Sequence, residues 1–136
     1  MPSQVYNSFK YAVMSGGMNL STDVIKIALT NGYTPDIDND VTFANVTNEV
    51  TGTGYTTGGK VLDNKLITQN NTNDSSVLDA DDITWAASVI TADGAVIYNE
   101  TYNNQLIGFI DFGSPKSSTG SSFTIVWNNN GILNIQ

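Results

Sequence analysis

Leu106-Ile107-Gly108-Phe109-Ile110-Asp111-Phe112 is the stretch that decides the fold. Leu106, Gly108, Ile110 and Phe112 alternate with Ile107, Phe109 and Asp111, and both sets are mostly apolar. A strand with one wet face keeps its apolar residues on the other, so a strand apolar on both belongs in the middle of a covered sheet. Residues 123–127, Phe-Thr-Ile-Val-Trp, read as a second central strand.

Working outward, residues 23–30 and 60–68 are rich in Val, Ile, Leu and Thr and bounded by Gly, Asn or Asp, as strands are. Shorter strands are expected at 76–79, 83–85, 88–91, 95–99 and 132–135, with Asp93-Gly94 as a hairpin turn between 91 and 95. Trp85 follows Ile83 by two and shares its face. Residues 31–36, 69–73, 114–122 and 128–131 read as loops, 52–59 as a loop or a bulged edge strand, and 43–50 fits more than one reading, a short helical turn among them. Only residues 3–15 carry the helical period, with Val5, Phe9 and Val13 four apart, Ser3 as a cap and Gly16-Gly17 as a stop. The expected fold is therefore mainly β. It is a single domain over residues 1–136, a β-sandwich or jelly-roll-like barrel with one N-terminal helix at about 4–15 and strands from about 23 onward. Phe109, Ile125 and Trp127 are expected in its core.

Composition narrows the chemistry. A chain of 136 residues, 40% hydrophobic, can bury one core without metal or disulfide. No apolar run approaches the length of a membrane-spanning helix, and the start of the chain lacks the basic and apolar stretches of a secretory leader. The sequence holds no Cys, His or Arg, which removes thiolate chemistry, the usual general base, the commonest zinc ligand and the bidentate phosphate fork. With a net charge of −8 and five scattered Lys, the chain is expected to repel nucleic acid and anionic membrane. Roughly a third of the residues are Asn, Thr or Ser, so amides and hydroxyls cover the surface more than charges do.

No motif points to catalysis. Gly54-Tyr55-Thr56-Thr57-Gly58-Gly59-Lys60 begins like a phosphate-binding loop, but Val61 stands where a magnesium-binding hydroxyl is needed, and a strand follows instead of a helix. Asp36, Asp38 and Asp40 alternate as oxygen ligands of a calcium loop do; Val41 and Thr47 occupy the positions where an EF-hand needs Gly and Glu. These three Asp are the calcium candidates, weighed against a solvated acidic loop, and no other cofactor site is expected. Asp79-Ala80-Asp81-Asp82 reads as a turn between strands. Serine nucleophiles lack a His partner, and neither Gly-x-Ser-x-Gly nor Ser-x-x-Lys occurs. Tyr55 and Tyr102, in polar loops, are the aromatics best placed for an exposed contact.

A set of patterns spans almost the whole chain: Val5-Tyr6-Asn7-Ser8-Phe9-Lys10, Gly17-Met18-Asn19-Leu20, Thr22 through Leu29, Tyr33-Thr34-Pro35-Asp36, Val46-Thr47-Asn48-Glu49-Val50, Gly52-Thr53-Gly54-Tyr55-Thr56, Asp79 through Trp85, Gly94-Ala95-Val96-Ile97-Tyr98, Ile110-Asp111-Phe112-Gly113 and Phe123-Thr124-Ile125-Val126-Trp127. As a set it resembles a family of small structural proteins of tailed bacteriophage particles. The resemblance implies a non-enzymatic virion component and carries over no catalytic residue. A short, acidic chain fits a capsid decoration, or cement, protein on the outer shell, assembled in the host cytoplasm, since packaged DNA makes the lumen anionic. The expected partners are the major capsid protein or other virion proteins and further copies of the chain, with a trimer favoured. A head–tail, tail or fibre accessory protein and a carbohydrate- or receptor-binding knob are the alternatives. The interface candidates are Tyr6 and Lys10 on the helix, Leu20 in the turn after it, and Tyr33, Tyr55 and Tyr102 in the loops.

Overall fold

The computed structural model describes residues 3–136. In chain order its elements are β1 (Gln4–Val5), α1 (Asn7–Met14), β2 (Ile25–Thr30), a single 3-10 turn (Phe43–Asn45), β3 (Lys60–Val61), β4 (Leu66–Asn70), β5 (Ser75–Asp79), β6 (Ile83–Trp85), β7 (Val89–Asn99), β8 (Gln105–Thr119), β9 (Phe123–Ile125) and β10 (Leu133–Ile135). The fold is mainly β and sandwich-like, as expected. An antiparallel sheet of order β1-β8-β7-β2-β3 forms the centre, with smaller sheets β10-β5-β4 and β6-β9 beside it. No helix is long and apolar enough to cross a membrane among the described residues.

The central sheet is covered on both faces because its strands are apolar on both. Ile25, Ile27 and Leu29 of β2, Ala95 and Ile97 of β7 and Ile107 of β8 form one core with Phe9 of α1, Trp85 of β6 and Phe123 and Ile125 of β9. Ala28, Val96, Tyr98, Leu106 and Phe109 form the other, roofed by Tyr6, Tyr33, Ile37, Phe43 and Val46. The alternation expected along β8 is displaced by one residue. Ile97 pairs with Gly108 but Tyr98 pairs with Leu106, so Ile107 is a bulge, and Leu106 faces the same side as Phe109.

Several expected boundaries move. The helix begins at Asn7, because Tyr6 is its N-cap and Gln4–Val5 pair with Gly108 and Phe109 as an edge strand. Ser3 therefore caps nothing helical; its hydroxyl accepts the Asp111 N–H at 3.0 Å. The far end stops as read: Gly16 has φ 78°, and Gly17 and Gly16 donate to the carbonyls of Ala12 and Val13. The strand expected at 60–68 is two, broken where Asn64 takes φ 53°. Asp93-Gly94 is not a hairpin turn. β7 runs through it as one strand with a register shift, and both Asp93 carboxylate oxygens accept the Gly32 N–H at 3.0 Å. Glycine is needed at 94 because a methyl there would meet the Phe109 ring.

The loop expected at 114–122 is mostly strand. Residues 116–119 pair with 89–92, helped by hydroxyl contacts from Thr91 to Ser117 at 2.9 Å and Ser88 to Ser118 at 2.7 Å. Pro115 is tolerated in the irregular stretch between Asp111 and Lys116, where the ladder shifts register. β9 is not central: it pairs only with β6. Phe109, Trp85 and Ile125 are buried, while Trp127, just past the end of β9, is half-buried and donates its indole N–H to the Asp81 carbonyl at 2.9 Å.

Phe109 lies edge-on to Tyr33, with ring centroids 5.7 Å apart, and covers Gly94. Phe109→Ala is expected to lower unfolding free energy by about 3–5 kcal/mol in a urea titration, the usual cost of removing a core phenyl. A loss below about 1 kcal/mol would mean that the loop roof does not depend on this ring.

Candidate functional site

The roof over the second core is loop, and a covered loop must still satisfy its polar groups. Tyr33 does this first: its hydroxyl donates to Asp40 Oδ2 at 2.7 Å and sits 2.9 Å from the Tyr6 hydroxyl. Burial pushes the Tyr33 phenol far above its ordinary value and Tyr6 up to about 12. A second anchor holds residues 49–59. Glu49 Oε1 accepts from the Tyr55 hydroxyl at 2.7 Å and from the Gly58 N–H at 2.6 Å, while Tyr55 accepts the Leu29 N–H that β3 is too short to pair. Burial, then the Glu49 carboxylate, drives the Tyr55 phenol upward. Tyr98 donates to the Gly58 carbonyl at 2.6 Å and is pushed up to about 12, chiefly by burial.

These contacts reassign many of the sequence candidates. Tyr6 and Tyr33 are buried and Tyr55 is half-buried against Trp85, so none of the three offers a surface contact in the folded chain. Lys10 is exposed, Tyr102 is half-exposed beside Gly17, and Leu20 packs partly on the first core. Helix α1 also presents Tyr11 and Met14, 76% and 90% exposed, which the sequence reading passed over. Asp36, Asp38 and Asp40 act separately. Asp36 accepts from the Asn39 side chain and turn N–H groups, which hold its carboxyl below the ordinary range; Asp38 accepts from Asn7; Asp40 binds Tyr33 and the Asp36 N–H. Among the described residues no three carboxylates gather as a metal site. The stretch resembling a phosphate loop folds against β2: a methyl at Gly59 would strike the Ile27 carbonyl, and Lys60 donates to the Thr84 carbonyl at 2.6 Å while lying over Trp85.

The arrangement that can engage a partner is a groove of about 670 Å³ between β8 and β9. Its apolar wall comes from Ile110, Phe112, Phe123, Ile125, Trp127 and Ile132. Every residue from Ser122 to Asn128 lines it. β9 has β6 on one edge and no strand on the other among the described residues. Among the described residues Lys116 is the groove's only ionisable side chain, in a chain of net charge −8. The sequence signal was the alternation at 123–127, but alternation alone does not say on which side a strand is paired. No family model, curated protein or solved structure matches the chain.

The tyrosine anchors set the alkaline limit of stability. Because Tyr6 and Tyr98 rise from 10.0 to about 12 on folding, the unfolded chain loses its phenolic protons first. Their contribution is complete below pH 10 and lost as pH rises toward 12. Urea titrations at successive pH values should show level stability up to that point and a steep fall beyond it. Stability that stays level throughout would contradict the role given to these hydroxyls.

Proposed function

We propose that the protein is a non-enzymatic structural component of a bacteriophage particle, a decoration protein seated on the outside of the capsid as a homo-oligomer, with a trimer favoured. The observation that carries this reading is the groove beside β9. A strand paired on one edge presents N–H and C=O groups that another chain can pair, and natural proteins blunt such edges unless they are used. β9 is flanked by apolar side chains instead of blunting charges, and the β6-β9 ribbon has only two strands. An extended segment of the capsid protein laid along β9 would add a third, place its alternate side chains on Phe112 and Trp127, and meet Lys116 with a carboxylate. The resemblance of the sequence to tailed-phage structural proteins supports the same assignment. The engaged carboxylates and tyrosines serve the loop roof, which suits a chain whose work is attachment.

The outer face follows from charge, since a chain at −8 is repelled by packaged DNA. Several copies joined as an oligomer would convert weak single contacts into firm attachment through effective concentration. Titrating the purified protein onto shells that lack it should saturate at a copy number set by capsid symmetry. Binding should change little between low and high salt, because Lys116 is the one charged side chain at the contact among the described residues. Val126 is 72% exposed on the groove, and Val126→Asp should abolish binding without lowering the melting temperature. A copy number of only a few would move the protein to the tail or a fibre, and binding confined to the inside of empty shells would refute the placement.

A further inference from the structure

The sheet β10-β5-β4 buries Leu78 on one face and opens the other onto a second concavity, of about 450 Å³. The register fixes what this face presents: Thr68 pairs with Val77, and Val77 with Asn134, so the three side chains project together. Leu66 and Val77 give a small apolar floor. Around it stand six side-chain amides, those of Asn70, Asn73, Asn129, Asn130, Asn134 and Gln136. The amide groups of Asn73, Asn129, Asn130 and Asn134 make no hydrogen bond among the described residues, and Gln136 makes only a long one, at 3.4 Å to the Asn73 carbonyl. Ser75, opposite Asn70 in the ladder, is buried with a hydroxyl that likewise has no partner.

Each amide offers two donors and an acceptor, the complement of a hydroxyl that both donates and accepts. Amides converging on an apolar floor match a ring that carries several hydroxyls and has C–H faces. The single ionisable side chain in the concavity is Asp79, which accepts the Ala80 N–H at 2.9 Å, and no cationic side chain lines the site among the described residues. An anionic sugar would be repelled by Asp79 and by the net charge of −8. We propose that this concavity binds a short neutral oligosaccharide. Its volume lies within the range of about 300–1,000 Å³ usual for small-ligand sites. The site adjoins the groove beside β9, with Gly131 lining both, and the proposal stands whether or not the chain sits on a capsid.

The test is a nitrogen-15 NMR titration of the full chain, following side-chain amide signals. The probes are cellotetraose, chitotetraose, maltotetraose and mannotetraose, with tetragalacturonate as the acidic comparison. At least one neutral probe should move the signals of Asn70, Asn130 and Asn134 saturably, and tetragalacturonate should leave them in place. Asn134 is exposed, so Asn134→Ala should keep the melting temperature. It should weaken binding by about fivefold to tenfold, the loss of one hydrogen bond. The proposal is overturned if no neutral probe moves these signals, if the acidic probe binds as well, or if Asn134→Ala binds like the parent chain.

Discussion

Everything in this molecule follows from a central sheet that is apolar on both faces. β7 and β8 carry large hydrophobic residues toward two separate cores, so neither side can be left to water. One side is closed in the ordinary way, by a helix and two small sheets. The other is closed by loop, which brings polar backbone into a covered place. The Tyr6–Tyr33–Asp40 contacts answer that cost, and Glu49–Tyr55 does the same for the loop packed on the first core, each joining a side-chain hydroxyl to a carboxylate that also accepts a loop N–H. Hydrogen bonds to charged acceptors are stronger than neutral ones, so a few are enough to hold a long irregular segment.

The same constraint explains what the sequence made legible. Two-sided apolarity placed β8 in the sheet interior, the Gly16-Gly17 stop ended the helix, and the hydrophobic alternation of β2, β5 and β6 located them to within a residue or two. The misreadings have particular causes. Asp93-Gly94 has the composition of a hairpin turn, but glycine is there to admit the Phe109 ring, and Asp93 caps a distant loop. The serines at 117 and 118 look like loop, yet they pair because β7 continues opposite them. Tyr33 and Tyr55 look exposed by their polar neighbours, while their hydroxyls bond to carboxylates several residues away that only the fold brings near.

The candidate site was the least legible part because it is defined by something missing from pairing. Phe123 through Trp127 is as apolar as a central strand, and its length and composition promised one. In the fold it keeps one edge unpaired among the described residues, beside a groove whose β8 wall carries Ile110 and Phe112. An apolar groove holding one lysine on a strongly acidic chain is a different kind of surface from the amide- and hydroxyl-rich remainder.

The central claim, that an extended partner segment completes the β6-β9 ribbon, is tested most directly by amide hydrogen exchange on the protein free and bound to shells. The account predicts new protection confined to residues 122–128 and to the stretch of β8 that lines the groove, with helix α1 unchanged. Protection over Tyr11 and Met14 with none along β9 would contradict it and give the attachment to the helix instead.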